Sequence, residues 1–430
     1  MGIDYLLLVS VMALLSVGII FIYSAGVTYD GILVSMEYRQ QVIWAVAGTI
    51  LAVAIAMVNY RKFYDFAFYI YVATIVLLLY TLVSGRGEVA ARWLRIGPIS
   101  LQISEFAKIA VILLLARYLD ETKRSSKSFT RFAVCCIIVF LPTALVLIQP
   151  DLGTAIVFIP ILLVMTFIAG IAMRYVIFLV AGMALTSLFM FIPLWHSYIL
   201  RRTSPVMTLF TDLGFIGLTA LFFSVIAVIA TFSYLKYKKA YFFWIIYGVA
   251  IVILSLVFSY MVRMVLMEYQ LMRLIVFLDP NVDPLGAGWN IIQSIIAIGA
   301  GGLSGQGFLQ GTQSHFRFLP EQSTDFIFSV FSEEAGFLGG MFVFALYFVM
   351  FLRILRTMKI TADPFACYLC AGLVGMFSFH FIINVGMTMG IMPITGIPLL
   401  FMSYGGSAVF ASMIGVGIIL SVHVRRYNLT

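Results

Sequence analysis

The stretch FLPEQSTDFIF, Phe318 to Phe328, holds the end of a polar segment and the start of a long apolar run. Such a run can cross the hydrocarbon of a bilayer as a helix. Two carboxylates, Glu321 and Asp325, stand at its mouth. Pro320 suits the first turn of a helix, and a helix starting there would place both acids on one face. Alternatively Thr324 caps the following span, with Asp325 as its first residue. Either way Asp325 lies near a helix N-terminus at the membrane boundary. A surface acid there would merely complement the helix dipole. An ionisable group this close to hydrocarbon is costly, which favours a functional role.

The rest of the chain extends the pattern. Of 430 residues, 63% are hydrophobic and 10% charged, with a mean hydropathy of +1.11. That composition excludes a soluble globule and implies an all-α polytopic membrane protein. Twelve candidate spans fall at roughly 5–25, 40–58, 66–84, 99–118, 131–149, 153–172, 175–195, 207–231, 241–264, 325–352, 365–389 and 397–422. Met1 to Asp4 lacks a basic leader, so the first run is expected to stay as a span.

Charge sets the orientation. Apart from Lys108, every lysine falls in alternate connections, together with Arg61, Arg117, Arg124, Arg131, Arg174, Arg353, Arg356, Arg425 and Arg426. The positive-inside rule then places both termini in the cytoplasm. The net charge of +8 is thus a signature of topology and implies no nucleic-acid partner. The long connections 84–98 and 265–324 face outward, and so does Gln149-Pro150-Asp151.

Several polar residues need explaining. Glu333 and Glu334 lie deep in the span after Asp325, Glu333 about 12 Å along its axis. They require a partner or a wet cavity, and Glu105 and Lys108 of the fourth span are candidates for an ion pair, structural or coupling. The segment Gly286 to Gly311 is rich in glycine and is expected to form phosphate-contacting or flexible, re-entrant backbone. The outer arginines Arg39, Arg86, Arg92, Arg95, Arg201, Arg202, Arg263, Arg273 and Arg317 suit either a lipid-linked phosphate or ordinary headgroups. Asp279 and Asp283 flank prolines and are expected to build turns. His196, His315 and His380 show no metal-ligand spacing, and the four cysteines imply no disulfide framework.

Together these blocks resemble the SEDS family (shape, elongation, division and sporulation proteins). The resemblance covers nearly the whole chain: WLRIGPISLQISEFAK at 93–108, QPDLGTA at 149–155, YQLMRLIVFLDPNVDPLGAGWNIIQS at 269–294, GGLSGQGFLQGTQSHFRFLPEQSTDFIFSV at 301–330, EEAGFLG at 333–339 and NVGMTMGIMPITGIPLLFMSYGGS at 384–407. The GTQS and DPLGAGWNIIQS blocks are more like the elongation member than the division or sporulation members. Two departures stand out. Ile295 replaces a family lysine, for which Arg317 is a possible substitute. Residues 207–264 are expected as an inserted transmembrane hairpin on a family core of ten spans, within one integral membrane domain, 1–430.

The resemblance implies a polymerase of peptidoglycan glycan strands. It would use lipid II in the outer face of the cytoplasmic (inner) membrane, act on the nascent strand, and work with a class B penicillin-binding protein and the elongation machinery. Asp325 is then the catalytic acid. Trp93, Glu105, Lys108, Glu321, Arg273, Arg317, Gln313 and Ser403 are substrate-binding or supporting positions, and Glu333, Glu334 and Asp151 structural or coupling ones. The linkage made is β-1,4 from an α-linked donor, so the centre inverts. One base on the acceptor hydroxyl suffices when the leaving group is a pyrophosphate, supported by arginines or by a divalent cation, Mg²⁺ or Mn²⁺. The competing expectation is a lipid II flippase, against which stand the absence of an evident internal repeat and the outward position of the candidate residues.

Overall fold

The computed structural model describes residues 2–84, 92–97, 99–123, 128–199 and 212–426. Arg86, Arg201, Arg202 and the first residues of the expected hairpin, 207–211, lie outside the described residues. The chain packs as two compact units, Met1–Ile171 with Asn290–Thr430, and Ala172–Trp289.

In the first unit, α1 (Tyr5–Ala25), α2 (Glu37–Met57) and α3 (Arg61–Ser84) lead to a hairpin of β1 (Trp93–Ile96) and β2 (Ile99–Gln102). Then come α4 (Ile103–Glu121), α5 (Phe129–Ile148) and α6 (Leu152–Ile168). The second unit holds α7 (Met173–Leu194), α8 (Leu213–Tyr237), α9 (Ala240–Val265) and α10 (Glu268–Leu278). The chain re-enters the first through α11 (Ala287–Gly301), the single turn α12 (Thr312–His315), α13 (Ile327–Ile360), α14 (Pro364–Thr388) and α15 (Gly406–Val424).

The element order follows the hydropathy. On α1 the buried residues Leu7, Val11, Leu14, Leu15, Gly18 and Ile22 recur at helical spacing; the helix packs on α13, with Gly18 against the backbone of Phe401 and Met402. The helices α14 and α15 are buried on most faces and form the centre, with α4 and α6 against α14 and α2 against α15. In the second unit α9 packs between α7 and α8. The Ser255 hydroxyl donates to Gly182 O at 3.0 Å and the Tyr247 hydroxyl to Arg174 O at 2.6 Å. The helix α8 buries only Ile216 and Ala230, as expected of a helix that faces lipid.

Among the described residues 10 helices are long and apolar enough to cross a membrane. They include α8 and α9, so they are not the expected family ten. Two expected spans fall short. The helix α6 has 17 residues, and α4 is interrupted by Glu105, Lys108, Arg117, Asp120 and Glu121. Boundaries shift where the apolar pattern continues into irregular backbone. Residues 99–102 of the fourth span form strand β2, and 397–405 of the last precede a helix that starts only at Gly406. The fold is all-α apart from this small two-stranded hairpin. Trp93 faces Gln102 across it.

Within the glycine-rich segment, Ala287–Gly301 form α11 and the residues that follow pack backbone to backbone against α13. The helix α13 breaks at Gly336 (φ +66°, ψ −166°), and residues 301–307 fill the break with backbone. Gln306 N and Gly307 N donate to the carbonyls of Glu333 and Glu334, which end the first half-helix, at 3.0 and 3.1 Å. Phe337 N and Leu338 N, which start the second half, donate to Gly302 O and Leu303 O at 2.9 and 3.1 Å. The break leaves these groups without helical partners, and the loop supplies them.

The glycines of this loop differ in what a side chain would meet. A Cβ on Gly305, at φ +81°, would lie 2.0 Å from Glu334 O, whereas one on Gly302, at φ +53°, meets nothing within 4 Å. Gly302→Ala should therefore cost only conformational strain, about 1–2 kcal/mol. Gly305→Ala should add about 1–3 kcal/mol of overpacking to that strain. Thermal unfolding of the two variants in detergent tests the order.

Candidate active site

Asp325 lies one residue before the N-cap of α13, which is Phe326, in a run of turns from Glu321 to Phe326. No helix begins at Pro320, so Glu321 and Asp325 do not share a helical face. Glu321 takes φ +50°, a left-handed conformation that bulky residues seldom adopt outside functional or tightly determined sites. Its carbonyl accepts from Phe326 N at 3.2 Å and its carboxylate from the Thr324 hydroxyl at 3.1 Å. Arg317, also exposed and at φ +59°, precedes it. Asp325 is partly buried. Its main-chain carbonyl accepts from Asn384 Nδ2 at 2.9 Å.

The deeper acids are all engaged, though not as the sequence implied. Lys108 does not reach Glu333 or Glu334. Its ammonium, 1% exposed, donates to both oxygens of Glu105 at 2.9 and 2.8 Å and to His380 Nε2 at 3.0 Å. Its three protons are thereby used. The break in α13 turns Glu333 and Glu334 toward the loop instead. Glu333 accepts from Gln313 N, Ser314 N, the Ser314 hydroxyl and the Thr312 hydroxyl at 2.7–3.2 Å, capping the short α12. Glu334 accepts from the Ser24 hydroxyl at 2.5 Å and Leu309 N at 3.1 Å, and lies 3.1 Å from His315 Nε2. His315 Nδ1 lies 2.8 Å from Val27 O, which fixes the proton there and leaves Nε2 to face the carboxylate.

The remaining candidates separate by exposure. Trp93 is 38% exposed on β1. Beside it Gln102 donates through Nε2 to Asp151 at 2.7 Å and through its main-chain N to the Ser407 hydroxyl at 2.9 Å. Asp151 caps α6 through Thr154. The Ser403 hydroxyl accepts from Leu399 N at 2.8 Å and closes its own loop. Gln313 offers its main-chain N to Glu333, while its Oε1 is buried without a described partner. Arg273 belongs to the second unit, its guanidinium 5.7 Å from the Tyr269 ring centre. Arg92 is tied by its guanidinium to the carbonyls of Gln149 and Pro150. Asp279 and Asp283 accept from main-chain N–H groups at the starts of the following turns.

Sequence reasoning passed over Gln41, Ser294 and Asn384 and noted His380 only as lacking metal-ligand spacing; all four are buried and hydrogen-bonded to main chain from another segment. The available signal was an amide, an imidazole or a hydroxyl inside an apolar run, where a polar group needs a partner. A pocket of about 190 Å³ opens at the helix break between Ile298, Phe328, Phe337, Phe344 and Met389. A polar pocket lined by Arg61, Asp65, Asp120 and Asp363 sits at the opposite end of α14 from Asn384, about 30 Å away by helical rise. No group of three metal-ligating side chains occurs among the described residues.

Two outcomes follow. Lys108→Met alone strands a buried carboxylate and should cost about 3–5 kcal/mol, whereas Lys108→Met with Glu105→Gln should cost less; unfolding in detergent checks this. The contact with Glu334 raises the His315 pKa, against the opposing effect of burial. A raised pKa means stabilisation that is complete below the ordinary imidazole value, about 6.5, and is lost as pH rises through the raised one. The melting temperature of the wild type should fall over that window, and His315→Gln should flatten the profile.

The comparisons with known proteins agree with this geometry. The family model FTSW_RODA_SPOVE, described as "Cell cycle protein", matches residues 5–213 and 203–428. The peptidoglycan glycosyltransferase RodA of Treponema pallidum (strain Nichols) is 48% identical over 425 residues, 98% of each chain. The peptidoglycan glycosyltransferase MrdB of Escherichia coli (strain K12) is 32% identical over 413 residues, 96% of this chain and 92% of MrdB. A solved structure described as "Structural coordination of polymerization and crosslinking by a peptidoglycan synthase complex" superposes with a TM-score of 0.67 at 26% identity, covering 100% of this chain and 99% of that one. With its apolar helices, its buried ion pairs and this end-to-end similarity, the chain is a multi-pass membrane protein that belongs to the FtsW/RodA/SpoVE (SEDS) family, and within it is of RodA type.

Proposed function

We propose that this chain is a peptidoglycan glycosyltransferase that polymerises glycan strands from lipid II during cell elongation. The observation that carries the reading is the 48% identity, over nearly the full length of both chains, to a protein named for that activity. The geometry supports it. Asp325 stands partly buried one residue before the N-cap of α13.

In this reading Asp325 is the general base. The acceptor sugar hydroxyl attacks the anomeric carbon of the donor from the face opposite the leaving group. The new oxygen–carbon bond forms as the bond from carbon to the phosphate oxygen breaks. The hydroxyl proton passes to the Asp325 carboxylate, and the electron pair leaves on undecaprenyl pyrophosphate. A single displacement inverts the α-linked donor to a β-1,4 product, and a pyrophosphate needs no acid to depart. Trp93, Glu321 and Arg317, exposed at the outer side, are proposed to touch substrate, as is Arg273. Glu105, Lys108, Gln313 and Ser403, engaged with other parts of the protein, are proposed as supports. A divalent cation, Mg²⁺ or Mn²⁺, would arrive with the pyrophosphate, because hard cations commonly bind through one or two carboxylates together with substrate phosphates. The apolar pocket beside Phe328 and neighbouring grooves suit polyprenyl chains. The proposed partner is a class B penicillin-binding protein, and the proposed setting the cytoplasmic membrane with both termini inside. The distribution of lysines supports that orientation.

A flippase remains the second reading, favoured by one feature, the discontinuous helix α13, a device of transporters. Here the break is filled by residues 301–307.

The test uses the protein purified with its class B partner, lipid II and a divalent cation, with glycan polymer read on a gel. Wild type should polymerise, and folded Asp325→Asn should lose about 10²–10⁴-fold, the usual worth of a general base. Equal polymer from both would sink the assignment of Asp325. Lipid II translocation in vesicles without polymer would favour the flippase.

A further inference from the structure

His380 and Asn384 stand four residues apart on α14, hence on one face. Both are buried, Asn384 at 0% exposure. They grip consecutive carbonyls of the segment between α14 and α15. His380 Nδ1 lies 3.1 Å from Pro398 O, and Asn384 Nδ2 donates to Ile397 O at 2.8 Å. Each also reaches a second partner. His380 Nε2 accepts from Lys108, which is ion-paired with Glu105. The other proton of Asn384 Nδ2 goes to the main-chain carbonyl of Asp325 at 2.9 Å. The amide orientation is fixed, because its oxygen could not face two carbonyls. A second tie joins the same two loops, from Tyr404 N to Ser323 O at 2.8 Å.

We infer that His380 and Asn384 are positioning residues for the transferase reaction, joined through residues 397–398 into one clamp that fixes the backbone of Asp325, and that the Glu105–Lys108 pair acts on the reaction through this clamp. The inference rests on the reading of Asp325 as the base. It gives an intramembrane ion pair a role in turnover that needs no contact with lipid II. Asn384 holds the main chain of Asp325, so it sets where the carboxylate stands.

Asn384→Asp preserves size, removes both donated bonds and sets an oxygen against the two carbonyls. Asn384→Ala removes the bonds without adding charge. Each variant would be purified with the class B partner, and polymerisation of lipid II followed at several concentrations and pH values, per folded enzyme. A displaced base costs on the order of 10²-fold for about 1 Å. The expected result is therefore a fall of about 10- to 100-fold in kcat, with KM for lipid II little changed and the acidic limb of the pH profile in place. His380→Leu should lower kcat in the same way. Its effect should be less than additive with that of Asn384→Ala, because both act on one loop. Wild-type kcat per folded enzyme in the Asn384 variants would overturn the proposal. So would a change confined to KM, strict additivity, or failure of both Asn384 variants to fold, which would make the residue purely structural. Asp325→Asn runs alongside. If it is inactive while Asn384→Asp turns over normally, the clamp alone fails. If Asp325→Asn is active, the base reading itself fails and the clamp with it.

Discussion

Inside a membrane-embedded bundle every backbone N–H and C=O needs a partner from the protein, and this requirement shapes two irregular segments of the fold. At the break in α13 the partners are other backbone groups, supplied by residues 301–307. Between α14 and α15 they are mostly side chains. Asn384, His380, Tyr347 and Gln41 donate in turn to the carbonyls of Ile397, Pro398, Leu400 and Ser403. His380 is eight residues before the end of α14, about 12 Å along its axis, so this segment dips back into the bundle. Unsatisfied, its carbonyls would each cost several kcal/mol in hydrocarbon.

That accounting also sorts the charges. A buried carboxylate must have donors, and the structure gives Glu333 four, Glu334 two donors and an imidazole, and Glu105 a lysine. These acids hold segments together. The broken helix thus lets Glu333 and Glu334 organise residues 309–315 while Asp325 stands at the start of α13. Left-handed backbone at Arg317 and Glu321 marks the same stretch, where tight packing holds conformations a free chain would avoid.

Much of this was legible in the sequence. Apolar runs gave the helices to within a few residues wherever both ends were polar, as in α1 and α14. The prolines beside Asp279 and Asp283 pointed to turns, at which both acids accept from main-chain N–H groups. Failures share one cause. Pairing Lys108 with Glu333 or Glu334 assumed that the nearest opposite charges in the hydropathy map meet, but helix packing put His380 there. A helix from Pro320 was plausible locally, but the chain turns instead, and Phe326 N reaches back to Glu321 O. Residues 397–405 read as span because their side chains are apolar, and periodicity does not reveal that their carbonyls are held by distant residues.

The sequence by itself determined that the chain lives in a membrane and which family it joins, because hydropathy and ordered motifs are additive along the chain. Tertiary structure decided which partners the buried acids take, what the loop glycines pack against, and what holds the main chain of Asp325. Those depend on hydrogen bonds between residues up to hundreds of positions apart, such as Ser24 to Glu334 and Lys108 to His380, whose partners are set only when the helices pack.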